Sequence, residues 1–272
     1  MGEIFSVKDK VIAITGAGGV LCGTMAKYLA KAGAKVAVLD LNEEAAKTIA
    51  DDIKAESGNA IAIKCNVLEK ETLEAAKKTI NARFGKINIL INGAGGNNKK
   101  ATTSPDLSFF DMPVDAVRFV FELNFIGTLL PTQVFGRDIA ESGSGIILNV
   151  SSMNAFRPLT KIAAYSAAKA AISNFTQWLA VHMCQNYSKD IRVNAIAPGF
   201  FLTEQNRFLL IDEKTGELTP RGKTIIGHTP MGRFGGAEEL NGTVQWLLSD
   251  AAKFVTGIVV PIDGGFSAFS GV

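Results

Sequence analysis

The feature that most constrains the fold is a regular alternation of short apolar runs with segments of helical length. The runs VIAIT, KVAVLD and AIAIKCNV contain β-branched residues, and helix-length segments separate them. None of them alternates polar with apolar residues, so both faces of each strand are expected to be buried. The pattern predicts an α/β fold, a single-domain Rossmann fold with a doubly wound, mostly parallel sheet and helices on both faces.

The same alternation continues through most of the chain. We expect strands at 11–15, 35–40, 60–67, 87–95, 145–152, 191–199 and 254–265, and helices at 23–34, 42–57, 69–85, 114–142 and 163–187. Asn42 is the expected N-cap of its helix, and Pro131 lies inside the long helix 114–142. The stretch at about 200–233 is rich in Thr, Gly, Pro and charged residues. It breaks the alternation, which predicts a substrate-loop insertion within one domain, 1–272.

Composition excludes several classes of partner. A formal net charge of +2, with no basic stripe, argues against nucleic acid, and the chain has no run of 18 apolar residues that would predict a membrane span. The three cysteines, Cys22, Cys65 and Cys184, show no metal-binding or disulfide spacing, so no metal site is expected. The polar N-terminus lacks a secretory signal, and a cytoplasmic location is the expectation.

A glycine-rich turn follows the first expected strand. Gly16, Gly18 and Gly19 allow backbone N–H groups and a helix N-terminus to approach a pyrophosphate closely. Asp40 ends the second expected strand, where a carboxylate can accept hydrogen bonds from both hydroxyls of an adenosine ribose. The same carboxylate would repel a 2′-phosphate, so the sequence predicts NAD, with NADP disfavoured.

Three polar side chains form a candidate catalytic set. Ser152 ends an expected strand, and Tyr165 and Lys169 are four residues apart on an expected helix, so they share one face of it. A free tyrosine has a pKa near 10, too high for a base at neutral pH. A nearby Lys169 ammonium and a cationic nicotinamide are expected to lower the pKa of Tyr165, so that it exchanges a proton while Ser152 hydrogen-bonds the reacting oxygen.

With TGAGG, NGAG at 92–95, Leu123–Asn124 and PGFFLT at 198–203, these residues make the chain resemble the short-chain dehydrogenases/reductases over nearly its whole length. The resemblance implies that Asn124 supports a proton relay to Lys169, and that Tyr165 and Lys169 also contact the cofactor. It further implies a set of cofactor contacts along the strand ends: Asn66, Val67, Asn92, Ala94, Gly95, Pro198, Gly199 and Thr203.

The glycine loop departs from the usual family spacing, which would place glycines at 16, 20 and 22. This chain has Val20 and Cys22 there, and NGAG replaces the commoner NNAG at residue 93. Backbone amides bind phosphate whatever side chain they carry, provided that no side chain obstructs the approach. We therefore expect the amides near Val20 and Leu21 to face the pyrophosphate.

A narrower resemblance depends on five stretches: TGAGGVLCG, SSMNAFRPLTKIAAYSAAKAAISNFTQWLA, APGFFLTEQNR, TPMGRFG and DGGFSAFSGV. With these the chain resembles the bacterial D-mannonate oxidoreductases (fructuronate reductases) of short-chain type, which implies a sugar-acid substrate. A sugar acid needs a cation for its carboxylate and amides or hydroxyls for its polyol chain. Arg157 is the first choice for the carboxylate, and Lys161 flanks the same loop. The substrate candidates are Asn154, Arg157, Gln205 and Arg207.

Other functions stay open at this level. The chain could be another sugar-acid or polyol dehydrogenase such as gluconate 5-dehydrogenase, an acyl-carrier-protein reductase, or a non-catalytic NAD-sensing protein. NADPH is the usual cofactor of the acyl-carrier-protein reductases, and Asp40 disfavours it. The family resemblance also implies a homo-oligomer, commonly a tetramer, built on the two long helices and the C-terminal segment.

Overall fold

The computed structural model describes residues 3–202, 207, 210–212 and 215–271. Within them the centre is a seven-stranded sheet in which all neighbouring strands run parallel. The strands are β1 (Val11–Thr15), β2 (Lys35–Asp40), β3 (Asn59–Lys64), β4 (Ile89–Asn92), β5 (Ser144–Val150), β6 (Asp190–Pro198) and β7 (Val259–Ile262). Their spatial order is β3-β2-β1-β4-β5-β6-β7, which confirms the predicted doubly wound sheet.

Helices cover both faces of the sheet. The described helices are α1 (Val20–Lys31), α2 (Glu43–Ala55), α3 (Lys70–Phe84), α4 (Val114–Phe121), α5 (Gly127–Ser142), α6 (Ala163–Asn186), α7 (Pro220–Gly227) and α8 (Asn241–Leu247). Buried side chains of α1, α2 and α8 pack on one face, and those of α3, α5 and α6 pack on the other.

Strand β1 shows why its sequence is continuously apolar. Ile12 and Ile14 belong to the core under α1 and α2, whereas Val11 and Ala13 belong to the core on the opposite face. Successive side chains of a strand point to opposite faces, so a strand covered on both sides needs apolar residues throughout. Each fully buried isoleucine contributes about 1.5–3 kcal/mol relative to an exposed one.

Of two predictions about helix starts, the one for α2 is confirmed and the one for α1 is wrong by three residues. Asn42 caps α2 as predicted, because its side-chain oxygen accepts a hydrogen bond from the Ala45 N–H at 3.2 Å. Helix α1 begins at Val20, three residues before the expected start at 23. The glycine-rich composition hides this first turn, since Gly19 is the N-cap without offering a side chain that marks the boundary.

The helix predicted at 114–142 is present with these bounds, but its middle turn is not α-helical. Residues Glu122–Ile126 form a π-helical segment between α4 and α5, and the Gly127 N–H donates to the Glu122 carbonyl five residues back. Pro131 follows inside α5 and has no N–H to donate. The wider turn carries Asn124, and the Thr128 hydroxyl donates to the Asn124 carbonyl at 2.8 Å.

The region at 200–233 contains regular structure in its described part. Phe201 forms a parallel bridge with Gly235, and Ile211 forms an antiparallel bridge with Leu218. Helix α7 follows, with Pro220 in its first turn and the Thr219 hydroxyl accepting from the Gly222 N–H at 3.1 Å. The insertion therefore returns to the body of the domain through a capped helix.

Candidate active site

A cleft of about 580 Å³ opens where the strand order reverses, at the carboxyl ends of β1 and β4. This is the position at which doubly wound sheets bind ligands. Most of the predicted site residues line it: Gly16, Gly18, Gly19, Val20, Leu21, Asp40, Asn66, Val67, Ala94, Gly95, Ser152, Tyr165, Lys169, Pro198 and Gly199.

The floor of the cleft is built by the turn after β1. Gly16 has a φ of 67°, and a side chain there would come within 2.8 Å of the Ala94 Cα, so only glycine fits. The Thr15 hydroxyl accepts hydrogen bonds from the N–H groups of Gly93 (3.1 Å) and Ala94 (3.2 Å). Sequence reasoning missed this role of Thr15, although a hydroxyl at a strand end beside two glycine turns is a usable signal.

The first turn of α1 presents free N–H groups to the cleft. Gly19 provides no side-chain cap, and Val20 and Leu21 both line the cleft. The first N–H groups of a helix have no partner within the helix, and the helix dipole favours an anion beside them. The glycine loop, despite its altered spacing, therefore retains the physical properties of a phosphate-binding turn.

Asp40 is held in place by the backbone around it. Its Oδ2 accepts the Gly18 N–H at 2.9 Å, and its Oδ1 accepts the Asn42 N–H at 2.9 Å. The carboxylate thus ties the glycine loop to the end of β2 and lines the cleft. It lies where the sequence places a ribose-binding carboxylate.

Asn66 and Asn92 are both engaged with protein groups. The Asn66 side chain donates to Glu69 at 2.8 Å and accepts the Leu68 N–H at 3.1 Å, while the residue itself lines the cleft. Asn92 does not line the cleft. Its amide donates to Thr132 and to Asn149, each at 2.9 Å, and holds β4, β5 and α5 together. The geometry makes Asn92 a support under the cleft.

The structure brings Ser152, Tyr165 and Lys169 together. All three residues line the cleft, the Ser152 hydroxyl is near enough to that of Tyr165 to favour its phenolate, and Lys169 Nζ lies 5.6 Å from the centre of the Tyr165 ring. Lys169 Nζ donates to the Val150 carbonyl at 2.8 Å, which anchors the ammonium to the end of β5. The Ser151 hydroxyl donates to the Lys169 carbonyl at 3.0 Å and so fixes α6 against that strand end, a role that sequence reasoning missed.

Burial dominates the electrostatics of this set. It raises the pKa of Tyr165 above its ordinary value, and the hydrogen bond with Ser152 offsets only part of that rise. The fall in this pKa that was expected from the Lys169 ammonium and a cationic nicotinamide is not seen for the protein groups alone, because desolvation of the buried phenol outweighs the stabilisation of its phenolate. Burial also lowers the pKa of Lys169 to about 8.

Asn124 is fully buried and braces the loop after β4. Its Nδ2 donates to the carbonyls of Gly96 and Val120, each at 2.7 Å, and its Oδ1 accepts the Gly96 N–H at 3.2 Å. The side chain does not line the cleft. It connects the π-helical segment to the loop that carries Gly95, so it positions cleft residues.

The substrate candidates fall into three groups. Asn154 is buried, and its Oδ1 has no hydrogen-bond partner among the described residues. The Arg157 Nε donates to the Ser267 carbonyl at 3.1 Å, and Arg207 is exposed and does not line the cleft. Gln205 and the cofactor candidate Thr203 lie outside the described residues.

The described part of the chain offers little to other kinds of site. It contains no group of three or more His, Cys, Asp or Glu side chains placed to hold a metal ion, and no helix there has the length and hydropathy needed to cross a membrane. Cys22, Cys65 and Cys184 are all unpaired. The cleft is the one place where the predicted functional residues gather.

Comparison with known proteins identifies the family of the chain. A family model described as enoyl-(acyl carrier protein) reductase matches residues 19–267. An uncharacterized oxidoreductase of Haemophilus influenzae is 52% identical, with 98% of this chain and 96% of the relative aligned.

Two solved structures are informative. The structure of a candidate D-mannonate oxidoreductase from Haemophilus influenza with bound NAD is 51% identical, covers 98% of both chains and has a TM-score of 0.92. A gluconate 5-dehydrogenase from Burkholderia cenocepacia, in complex with NADP and tartrate, is 31% identical, covers 98% of both chains and has a TM-score of 0.84. The chain belongs to the short-chain dehydrogenase/reductase family of oxidoreductases.

Proposed function

We propose that the protein is an NAD-dependent dehydrogenase of sugar acids that interconverts D-mannonate and D-fructuronate. The observation that carries the proposal is the Ser152, Tyr165 and Lys169 set at the cleft. The chain also shares 51% identity over 98% of its length with the candidate D-mannonate oxidoreductase that binds NAD. The oxidoreductase chemistry follows from the family, and the substrate is the proposed part.

The described residues fit a dinucleotide. The uncapped first turn of α1 offers N–H groups to a pyrophosphate, and Asp40 offers a carboxylate to a ribose. A 2′-phosphate would bring a second negative charge against Asp40, so NAD is the proposed cofactor. Relatives differ on this point, since the gluconate 5-dehydrogenase holds NADP.

The chain's own residues manage the proton and the reacting oxygen. Bound NAD supplies the site that accepts or returns a hydride. Tyr165 donates its proton to the substrate oxygen during ketone reduction and takes it back during alcohol oxidation. Ser152 hydrogen-bonds the same oxygen, and the Lys169 ammonium stabilises the phenolate that forms when Tyr165 gives up its proton.

Asn154 is a proposed partner for the polyol chain of the substrate. Its Oδ1 is buried and has no partner among the described residues, although Asn154 itself does not line the cleft. Phe200 and Phe201, which open the insertion at 200–233, line the cleft. We propose this insertion as the substrate loop. Tartrate on the gluconate 5-dehydrogenase, a hydroxy acid, agrees with a hydroxylated carboxylate as substrate.

A screen of aldonates and ketouronates with NAD and NADP tests the proposal. D-mannonate with NAD, and D-fructuronate with NADH, should give the highest kcat/KM. A higher value with D-gluconate would favour gluconate 5-dehydrogenase, and turnover of acyl thioesters with NADPH would favour the acyl-carrier-protein reductase. NAD binding without turnover of any substrate would favour the sensor.

We also propose a homo-oligomer, a tetramer in family terms, that packs through the long helices α5 and α6. Along α6 the rings of Phe175, Trp178 and His182 stack in sequence, with centroids 6.2 and 4.7 Å apart. Trp178 and Val181 are each 56% exposed. Contiguous exposed apolar side chains of this kind mark protein–protein contacts.

A further inference from the structure

A second cavity of about 480 Å³ adjoins the catalytic cleft. The two share Phe200, which lines both of them. The cavity lies between the loop that precedes α6, helix α7 and the C-terminal segment. Its apolar wall includes Leu159, Ile225 and Phe266. Phe200 therefore lies between the two spaces, and a ligand held at Tyr165 would have to pass this side chain to reach the cavity.

The charged residues that line the cavity, Lys161 and Arg221, are both cations. Lys161, Arg221 and His228 line it, and no Asp or Glu among the described residues does so. Neither Lys161 nor Arg221 forms an ion pair within the described part of the chain. Two cations that line one cavity without a counter-charge there favour the binding of an anion.

Lys161 is held in an uncommon backbone conformation. Its φ is 76°, in the left-handed region that non-glycine residues seldom occupy. The Lys161 carbonyl accepts the Thr103 N–H at 2.9 Å, which ties this residue to the loop after β4. Lys161 lies four residues before Tyr165, so the strained turn places a cation next to the start of α6, the helix that carries Tyr165.

The opposite side of the cavity is also ordered by contacts. The His228 ring packs against the rings of Phe266 and Phe269, with centroids 4.8 and 5.1 Å apart. Arg221 lies in the first turn of α7, which Thr219 caps. The cavity thus has a basic rim, formed by Lys161 and Arg221, and an aromatic wall that includes Phe266. This combination suits an anionic group on a carbon chain.

We propose that this cavity is the subsite for the carboxylate of the substrate, bound by Lys161 and Arg221 with a hydrogen bond from His228. The inference rests on the proposed function and specifies it. The substrate carbon that reacts lies at Tyr165, and its chain runs past Phe200 to the basic rim. The ligand class is an open-chain hydroxy acid whose carboxylate lies several carbons from the reacting alcohol.

This assignment differs from the sequence-based first choice. Arg157 does not line the cavity, and its Nε is used by the Ser267 carbonyl. That bond holds the C-terminal segment, which carries Phe266. Arg157 is therefore a positioning residue for the wall of the subsite, whereas Lys161 and Arg221 meet the anion. Arg221 was not a sequence candidate, because the sequence predicts no helix within the insertion at 200–233 that contains it.

The test compares Arg221→Gln and Lys161→Gln with Lys223→Gln, an exposed lysine on the same helix that does not line the cavity. Kinetics with NAD give KM and kcat for D-mannonate and for the neutral polyol D-mannitol. Calorimetric titration of the NAD-saturated protein gives the Kd of D-mannonate. Loss of a charged hydrogen bond should raise the KM and Kd for D-mannonate about tenfold or more. The kcat and the constants for D-mannitol should change less than about threefold.

The outcomes separate the subsite from the proposed function. Unchanged KM and Kd in both variants, with active wild-type protein, would overturn the subsite alone. Wild-type protein that binds D-mannonate without turning it over would refute the proposed function, and the Kd values would still judge the subsite. Wild-type protein that binds no aldonate would overturn both. An equal loss in Lys223→Gln would show a general charge effect and also overturn the subsite.

Discussion

At the scale of single residues, burial is what makes the catalytic set chemically unusual. Tyr165 and Lys169 both lie where their charged forms are disfavoured, and each pKa is shifted towards the neutral state. The Lys169 ammonium is held near the end of β5 by a single hydrogen bond, which it donates to the Val150 carbonyl. A charge buried for catalysis should reduce the stability of the fold.

The substitution Lys169→Met should show this cost. The pKa of Lys169 is lowered from 10.5 to about 8, so below about pH 8 the lysine is charged in both the folded and the unfolded chain and the burial cost is complete. Between about 8 and 10.5 the unfolded chain binds more protons, so wild-type stability rises with pH there. Denaturant unfolding should find the variant about 1–3 kcal/mol more stable at pH 7, with a smaller gain at pH 10. An equal gain in stability at pH 7 and at pH 10 would show that burial of the Lys169 charge does not destabilise the fold.

Asp40 is the residue on which the cofactor preference depends. In Asp40→Asn the side chain can still accept the Gly18 N–H, but the negative charge is gone. The ratio of kcat/KM for NAD over NADP should therefore fall at least about tenfold, as expected for removal of a repulsion beside a 2′-phosphate. Asp51→Asn, an exposed carboxylate on α2, is the control. An unchanged ratio would assign Asp40 a role in the loop alone.

At the scale of elements, the altered glycine loop is explained by the contact between α1 and the turn after β4. A Cβ added at Gly93 would overlap the Cys22 sulfur and lie 2.8 Å from the Thr15 carbonyl. The sulfur therefore fills space that a side chain at 93 would occupy in the NNAG pattern. The larger residue at 22 and the smaller residue at 93 therefore compensate for each other in volume.

A double-mutant cycle tests this coupling. Gly93→Ala should lower the free energy of unfolding by about 1–3 kcal/mol, since overpacking a filled site forces its neighbours to shift. Cys22→Ala removes the sulfur and should cost less when combined with Gly93→Ala than the sum of the single effects predicts. We expect a coupling energy of at least about 0.5 kcal/mol. Strict additivity would show that the two positions are independent.

The sequence predicts elements well where pattern and backbone agree. Strands β1 and β2 have the expected bounds, because each is a short apolar run that ends at a turn residue. The π-helical segment around Asn124 was not predictable, since its apolar periodicity matches that of the flanking helices and its geometry depends on contacts with Gly96 and Val120.

The candidate site was likewise predictable from the sequence only in part. Ser152, Tyr165 and Lys169 follow from spacing, because a strand end and one helix face bring them together. The pKa of Tyr165 does not follow from spacing, since it depends on burial. Arg221 could not be placed, because only tertiary packing brings α7 against the loop that precedes α6.

At the scale of the whole molecule, the aromatic series on α6 is the surface that the proposed oligomer would bury. Trp178→Glu should place a charge in the centre of that contact and convert the protein to monomers or dimers, measured by light scattering. Lys47→Gln, an exposed position on α2 on the other face of the sheet, is the control for the same change of one unit of charge. A wild-type protein that is monomeric at all concentrations would refute the oligomer.

The central claim is that Tyr165 exchanges the proton in an oxidation of a sugar acid by NAD. The most direct test is the turnover of D-mannonate by Tyr165→Phe, with the NAD dissociation constant measured on the same preparation. Tyr187→Phe, a tyrosine that is 58% exposed, is the matched control. Loss of a general acid–base group predicts that kcat falls about 10²–10⁴-fold while NAD affinity stays within about threefold. Near wild-type turnover by Tyr165→Phe, with NAD affinity unchanged, would contradict the account.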